Sequence, residues 1–198
     1  MKVLTRFLLS ATTPAHFPAP GPPEIAFLGR SNVGKSSLIN SLLGSRVART
    51  SSTPGRTRAI NFFEVRFPGK PRPDFVFADL PGYGYAKVAR QLSAEWPGFV
   101  EPYLRDRAPL ALCVALIDLN VPPQASDQQL VEFLRSNQRP FVIVGTKADK
   151  SSGNQRTNSL RTLREALGTT DIVPYSARNG DGRQELWRRI RESGKLQG

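Results

Sequence analysis

The residues best suited to chemistry form an eight-residue run that matches the phosphate-binding pattern G-x-x-x-x-G-K-S/T. The run comprises Gly29, Arg30, Ser31, Asn32, Val33, Gly34, Lys35 and Ser36. Its two glycines allow backbone N–H groups to turn toward phosphate oxygens, and its lysine can lie between the β- and γ-phosphates. The serine hydroxyl is a suitable ligand for Mg²⁺. The run follows a predicted strand and opens a predicted helix, so it predicts a nucleoside triphosphate site.

A second motif follows the phosphate loop after a distance of about one β-hairpin. It comprises Asp79, Leu80, Pro81 and Gly82. An aspartate at the carboxyl end of a strand beside the phosphate loop can hold the Mg²⁺ shell, and the glycine lets a backbone amide approach the γ-phosphate. The pattern D-x-x-G is weak alone. Its position after the phosphate loop makes it a second predicted part of the same site.

A third group of residues predicts which base the nucleotide carries. An apolar strand ends in Thr146, Lys147, Ala148 and Asp149, and a later strand is followed by Ser176, Ala177 and Arg178. The Asp149 carboxylate can accept hydrogen bonds from N1–H and the 2-amino group of guanine, whereas adenine offers no matching donors. The apolar stem of Lys147 can lie along the base. The sequence therefore predicts GTP and GDP as ligands, with Mg²⁺ as cofactor.

The elements that must position these motifs alternate between strand and helix patterns, which predicts an α/β fold. Strands are expected at 25–28, 60–67, 75–78, 110–117, 141–144 and 172–175, with one antiparallel hairpin. Helices are expected at 37–43, 86–104, 126–136, 158–167 and 183–191. The predicted architecture is a three-layer P-loop GTPase domain: a mostly parallel six-stranded sheet with one antiparallel strand and helices on both faces. We expect this domain to span 23–198, with residues 1–22 packed on it as an extension.

Composition narrows the classes of partner and chemistry. The chain has 28 Lys and Arg against 16 Asp and Glu, a net charge of +12 that favours nucleic acid, ribosomal particles or an anionic membrane surface. A single cysteine, Cys113, excludes an internal disulfide framework, and a single histidine, His16, disfavours histidine-based metal or catalytic sites. No run approaches the ~20 apolar residues of a membrane span, and Arg6 interrupts the short apolar patch near the start. We expect a cytoplasmic protein.

The motifs together resemble one family. The segments GRSNVGKS, TPGRTRAINFF, DLPGYGYA, TKAD and SAR resemble the EngB family of ribosome-biogenesis GTPases, in the TrmE-Era-EngA-EngB-septin-like group. The resemblance covers nearly the whole chain. One departure follows Asp118, where the family usually carries an Arg-His pair and this chain has Leu119-Asn120. Another is Arg178, which stands where a lysine is common.

The resemblance implies the first switch and the catalytic set. The first switch comprises Gly55, Arg56, Thr57, Arg58 and Ala59. By the same resemblance Thr57 joins Ser36 and Asp79 around Mg²⁺, and Lys35, Thr57 and Gly82 form the catalytic group. The residues alone leave Thr50, Thr53 and Thr57 as competing ligands.

The partners implied by the resemblance are a precursor of the large ribosomal subunit and its rRNA, with a further role in cell division and septation. We expect a monomer that binds no DNA. A stripe of positive charge near the carboxyl end is consistent with rRNA contact, although solvated helix faces would look the same. The stripe comprises Arg156, Arg161, Arg164, Arg183, Arg188, Arg189, Arg191 and Lys195. The alternative function is a nucleotide-sensing adaptor at the division site or membrane, in which hydrolysis is incidental.

Two residues bear on the rate of hydrolysis. Tyr83 follows Gly82 at the position where Ras-like enzymes carry a glutamine that orients water, so we expect slow intrinsic turnover. Asn32 lies at a loop position that helps to hold K⁺ in related GTPases, which suggests the hypothesis that K⁺ stimulates turnover. Alternatively, Asn32 only fixes the backbone of the loop.

Overall fold

The fold is described from a computed structural model, in which residues 3–48, 59–84, 96 and 98–195 are placed. The strands in these residues are β1 (Leu4–Ala11), β2 (Glu24–Gly29), β3 (Ile60–Arg66), β4 (Phe75–Asp79), β5 (Leu110–Asp118), β6 (Phe141–Thr146) and β7 (Ile172–Pro174). The helices are α1 (Lys35–Leu43), α2 (Val100–Asp106), α3 (Ala125–Ser136), α4 (Gly153–Leu167) and α5 (Arg183–Lys195). Most of the predicted helix 86–104 lies outside the described residues.

The strands form one sheet in the order β1-β3-β4-β2-β5-β6-β7. Strands β4, β2, β5, β6 and β7 pair in parallel, and β3 runs antiparallel to both β1 and β4. This confirms the predicted fold class, but the described residues contain seven strands where six were predicted. The extra strand is β1, which pairs with β3 at the edge of the sheet. A register shift between Phe7 and Leu9 interrupts its alternation, which hides the strand pattern in the sequence.

Helices cover both faces of the sheet because its central strands are apolar on both sides. On one face α1 and α5 pack on a core that includes Phe27, Phe77 and Trp187. On the other face α2 and α3 pack on a core that includes Phe62 and Tyr103, and the leucines of α4 pack on β5 and β6. This arrangement leaves the carboxyl ends of the parallel strands as the edge where the loops carrying the predicted motifs meet.

Helix α4 begins five residues before its predicted start because of a capping box that the prediction overlooked. Ser152 accepts a hydrogen bond from the amide of Gln155 (3.4 Å), and the Gln155 side chain accepts one from the amide of Ser152 (3.0 Å). The pattern S-x-x-Q was present in the sequence. As a result the helix starts directly behind the base motif.

The opposite end of the sheet is fastened by a buried carboxylate. Glu24 accepts hydrogen bonds from the Tyr103 hydroxyl (2.8 Å) and from Nε of Arg107 (3.0 Å). Arg107 also donates to the carbonyl of Pro18 (2.7 Å), so the network joins β2, α2 and the segment before β2. Burial and the neighbouring Glu24 charge raise the pKa of Tyr103 well above its ordinary value, so the phenol stays protonated as a donor.

Candidate functional site

The phosphate-binding run forms the turn between β2 and α1. Gly29 ends β2 where a side chain has no room, because a Cβ there would lie 2.8 Å from Val33 Cγ1 and 2.9 Å from the Leu116 carbonyl oxygen. Gly34 has a φ of +102°, a backbone conformation that favours glycine, and Asn32 has a φ of 62°. The backbone therefore makes the tight turn that the two glycines of the motif predicted.

Lys35 and Asp79 meet at the mouth of this turn as an ion pair. Lys35 is the first residue of α1, and Asp79 ends β4 opposite Phe27 of the neighbouring strand. The Asp79 residue is only 5% exposed. Either charge would be costly to bury to this depth without the other, and each is of the type that binds a phosphate or a metal ion.

The D-x-x-G segment packs directly on the phosphate loop. A Cβ at Gly82 would lie 2.9 Å from Ser31 Oγ, and the Ser31 amide donates to the Tyr83 carbonyl (2.9 Å). Arg30 and Tyr83 also form an isolated parallel β-bridge. Because of these direct contacts, movement of the segment 79–84 would displace the loop at 29–36.

Tyr83 points into the core rather than toward the nucleotide site. Its residue exposure is 0%, and its ring packs edge-on against Trp96 with centroids 6.2 Å apart. Asp127, at the start of α3, lies nearby. Burial raises the pKa of Asp127 although hydrogen bonding from Gln124 and the proximity of Arg30 and Tyr83 oppose the rise. Tyr83, the residue after the D-x-x-G motif, therefore contacts Asp127 of α3.

Thr146 joins the base motif to the phosphate loop. Its buried hydroxyl lies 2.7 Å from the Val33 carbonyl and 3.2 Å from the Ile117 carbonyl, and it can donate to either. The residue stands where the more general motif N-K-x-D has asparagine. In this position Thr146 holds two loops together, a role that the sequence did not reveal.

Lys147 also contacts the phosphate loop. It adopts a φ of 58°, and its Nζ donates to the Asn32 carbonyl (2.8 Å) and pairs with Asp118 Oδ2 (2.7 Å). The Cε atom lies 3.8 Å from the place where a Cβ on Gly34 would stand. The stem of Lys147 is therefore held across the phosphate loop.

Asp149 lies on the exposed side of the same motif and is held by Ser176. The Ser176 hydroxyl donates to Asp149 Oδ1 (2.7 Å), and the amides of Arg178 (3.2 Å) and Asn179 (3.3 Å) approach the same hydroxyl oxygen. The Ala148 amide donates to the Tyr175 carbonyl (3.1 Å). These contacts bring the loops at 146–149 and 176–178 together, as predicted, with Ala177 half-buried and Arg178 exposed.

Asp118 and Asn120 support the base motif, and sequence reasoning missed them. Asn120 donates through its amide and side chain to Asp118 Oδ1 (2.9 and 3.1 Å) and through its side chain to the Lys147 carbonyl (3.1 Å). Burial alone would raise the pKa of Asp118, but hydrogen bonds from Lys147 and Asn120 outweigh burial and lower it. The available signal was the place of Asp118 at the end of a strand adjacent to β6.

The remaining predicted residues divide into two sets. Ser36 lies in the first turn of α1 and Ala59 immediately precedes β3. Gly55, Arg56, Thr57 and Arg58 lie outside the described residues. In the part of the chain that is described, no cluster of three or more His, Cys, Asp or Glu side chains could hold a metal by itself, and every helix is too short or too polar to span a membrane.

Comparison with known proteins gives the chain clear relatives. A family model described as "50S ribosome-binding GTPase" matches residues 24–147. A probable GTP-binding protein EngB of Koribacter versatilis is 61% identical over 193 residues, which cover 98% of this chain and 95% of the relative. A protein of the same description from Acidobacterium capsulatum is 58% identical over 191 residues, which cover 96% of this chain and 90% of the relative.

Solved structures share the fold. A crystal structure of a probable GTP-binding protein EngB superposes with a TM-score of 0.69 at 26% identity, covering 87% of this chain and 99% of that one. Era in complex with MgGDPNP and nucleotides 1506–1542 of 16S ribosomal RNA superposes with a TM-score of 0.68 at 27% identity, covering 86% of this chain and 56% of Era.

Proposed function

The chain belongs to the EngB family of GTP-binding proteins, and from that premise we propose that it is a Mg²⁺-dependent, slow GTP hydrolase that acts as a switch in assembly of the large ribosomal subunit. The observation that carries the proposal is the Lys35–Asp79 ion pair at the mouth of the phosphate turn. Each partner belongs to a motif for a different ligand group, phosphate or metal, and the two motifs meet in space.

The residues around this pair suit Mg²⁺. The Ser36 hydroxyl and the Asp79 carboxylate are oxygen ligands of the kind that Mg²⁺ prefers, and Thr57 is proposed as a third. When bound, Mg²⁺ would neutralise charge that develops on the phosphates. Lys35 would leave Asp79 and bind phosphate oxygens, and Gly82 would offer its amide to the γ-phosphate.

Base recognition is proposed to fall to Asp149. Its Oδ1 accepts a hydrogen bond from Ser176, which supports the proposal by restricting the carboxylate that would accept from guanine N1–H and the 2-amino group. Replacement of Asp149 by asparagine should weaken GTP and GDP binding by about a thousandfold, because two acceptor sites become one. Titration with labelled GDP, GTP and ATP tests this, with Asp106→Asn as a control at the distant end of α2. Equal affinity of the wild type for ATP and GTP would refute the assignment.

Slow hydrolysis is proposed because the described residues place a buried tyrosine after Gly82. A side chain that is 0% exposed at Tyr83 is a poor candidate for orienting water. Unassisted turnover on the order of 10⁻⁴ s⁻¹ is expected for enzymes without a water-orienting group. We also keep the hypothesis that Asn32 supports stimulation by K⁺, which equal turnover in Na⁺ and K⁺ buffers would contradict.

A ribosomal partner is supported by the description of the matching family model and by the basic composition of the chain. Era, a structural neighbour, has been crystallised with a 16S ribosomal RNA segment. We propose a cytoplasmic monomer that associates with large-subunit precursors through rRNA, with an effect on cell division and septation. Co-sedimentation with these particles under GTP but not GDP tests the proposal. An unaltered particle profile on depletion would instead favour the adaptor at the division site or membrane.

A further inference from the structure

The arginines of the basic stripe lie on two helices, and the structure gives the two sets different roles. Helix α4 carries Arg156, Arg161 and Arg164, and helix α5 carries Arg183, Arg188, Arg189 and Arg191. From the sequence alone, these residues were grouped as one stripe. The contacts of each set show which charges are available to a partner.

Arg188 and Arg189 of α5 are paired with carboxylates within the protein. Arg188 donates to Glu185 (Nε, 2.8 Å) and to Glu192 (Nη1, 2.6 Å). Arg189 donates to Glu185 (2.9 Å) and to Asp171 (2.6 Å). Hydrogen bonds from Arg188 and Arg189 lower the pKa of Glu185 to about 2, so this carboxylate remains a charged partner at neutral pH.

The other two arginines of α5 serve the fold. Arg183 donates to the Leu42 carbonyl at the end of α1 (2.9 Å). The guanidinium of Arg191 lies over the ring of Phe67, 4.7 Å from its centroid. Two of the four arginines of α5 are thus paired with carboxylates and the other two contact a carbonyl and an aromatic ring, while Lys195 at the end of the helix is exposed.

The arginines of α4 have no such partners. Within the described residues, no carboxylate lies within ion-pair distance of Arg156, Arg161 or Arg164. Glu165 is the single acidic residue of the helix, and it too is outside ion-pair distance of them. Arg161 and Arg164 are exposed, so their charge faces solvent.

These charges belong to a regular polar stripe along the helix. Asn154, Thr157, Arg161 and Arg164 are all exposed and recur at intervals of three and four residues, which places them on one side of α4. We call these four residues the α4 face. It is about 15 Å long, since ten residues of helix separate its ends.

We propose that the α4 face binds the phosphate backbone of RNA. Guanidinium groups bind phosphate oxygens in a bidentate fashion, and asparagine is a common donor to phosphate and sugar. The Thr157 hydroxyl donates to the Gly153 carbonyl (3.0 Å), so in this position it can only accept a hydrogen bond from a partner. This inference rests on the proposed ribosomal function and adds the surface and the chemical group that would be recognised. The α4 face lies on the helix that starts directly after the base motif.

The composition of α4 favours RNA over a membrane. A helix that lies on a membrane inserts large apolar side chains below the headgroups. The leucines of α4, Leu160, Leu163 and Leu167, are instead buried in the core. The α4 face thus offers charge and hydrogen bonds without an apolar anchor.

The test compares single substitutions that each remove one positive charge from the full-length protein. Arg161→Gln and Arg164→Gln change the α4 face. Arg188→Gln changes a paired arginine on α5, and Arg72→Gln changes an exposed arginine in the β3–β4 hairpin. Binding of a labelled RNA hairpin of about 30 nucleotides is measured by fluorescence anisotropy over a series of KCl concentrations, together with GDP affinity as a check on folding.

We expect each α4 substitution to weaken RNA binding about three- to tenfold and to reduce the slope of log K against log[salt] by about 1. Arg188→Gln and Arg72→Gln should stay within about twofold of the wild type. Glu165→Gln should tighten binding, because it removes the acidic group of the helix. GDP affinity should be unchanged in all five variants.

Several results would overturn the inference. Equal weakening in all four arginine variants would assign binding to net charge, and unchanged binding in the α4 variants would exclude the face. Lack of measurable RNA binding by the wild type at low salt would also exclude the α4 face as an RNA-binding surface. Binding to phosphatidylserine vesicles with the same arginine dependence would assign the face to a membrane. Failure of the ribosomal proposal is distinct, since the wild type would then not sediment with large-subunit particles under GTP, whatever its affinity for the RNA hairpin.

Discussion

Two inaccessible ion pairs lie at opposite ends of the same part of the sheet. Lys35 and Asp79 pair beside the carboxyl ends of β2 and β4, and Arg107 pairs with Glu24 at the amino end of β2. The side chains are 12% and 7% exposed in the first pair and 10% and 2% in the second. Burial alone therefore does not distinguish them.

Their hydrogen bonds do distinguish them. The Glu24 carboxylate is surrounded by a planar guanidinium and the Tyr103 hydroxyl, and Arg107 uses a further donor on Pro18. Lys35 and Asp79 instead come from two separate ligand-binding motifs, and Lys35 is a point charge that can change partners. A pair that is hydrogen-bonded to several neighbouring elements stabilises the fold, whereas a pair made of two ligand-binding groups marks the site.

The largest effect is expected from a substitution that breaks the Lys35–Asp79 pair at the phosphate site. Lys35→Ala should weaken GDP and GTP binding by about a thousandfold or more, because a phosphate partner is lost and Asp79 is left facing negative charge. Equilibrium titration with a fluorescent GDP analogue measures this. Near-normal affinity in the variant would refute the assignment of the loop.

The second-largest effect is expected from a substitution that breaks the Glu24–Arg107 pair at the opposite end of the sheet. Glu24→Gln should lower the free energy of unfolding by about 3 kcal/mol, because Arg107 loses its buried counter-charge. Denaturant unfolding measures the loss, and GDP affinity should stay at the wild-type value. If nucleotide binding fell together with stability, the proposed division of roles between the two ends would be wrong.

A smaller effect on GDP binding is expected from a substitution behind the base motif. Asp118→Asn removes the carboxylate that holds Lys147 and should weaken GDP binding about tenfold. Because Lys147 and Asn120 lower the pKa of Asp118 below its ordinary value of 3.8, its contribution is fully present above about pH 4 and is lost only in more acidic solution. The ratio of wild-type to variant affinity should therefore be constant from about pH 5 to pH 8. A ratio that changed across neutral pH would point to another group.

The smallest expected effect concerns an exposed pair. Arg6 and Glu64 join β1 to β3, but Arg6 is 72% exposed, so solvent screens the interaction. Glu64→Gln should leave the thermal midpoint within about one degree of the wild type. This variant is the matched control for Glu24→Gln, and a comparable loss of stability in both would remove burial as the explanation.

The phosphate loop and the base motif were predictable because each is a short, continuous segment whose residue types follow from its ligand. The fold class was predictable for a similar reason, since apolar runs of strand length alternate with helical patterns. The capping box at Ser152 and the pairs of Glu185 with Arg188 and Arg189 were also visible in the sequence, as spacings of three and four residues. They were overlooked rather than hidden.

Other features depend on contacts between distant parts of the chain. Glu24 meets Arg107 across 83 residues, and Thr146 meets Val33 across 113. Nothing local in the sequence marks either pair. The edge strand β1 is hidden in a similar way, since its register with β3 shifts at one residue and the paired residues are 49 to 62 positions apart, from Ala11↔Ile60 to Leu4↔Arg66.

The most direct test of the nucleotide site is the change in thermal midpoint that saturating GDP with Mg²⁺ causes in the wild type, Glu24→Gln and Lys35→Ala. A ligand at about 1,000 times its Kd stabilises a protein by about 4 kcal/mol, which corresponds to a rise of about 10 °C for a domain of this size. We predict this rise in the wild type and in Glu24→Gln, from a lower starting midpoint in the variant, and little rise in Lys35→Ala. A full rise in Lys35→Ala, or none in the wild type, would contradict the claim that the turn between β2 and α1 holds the nucleotide.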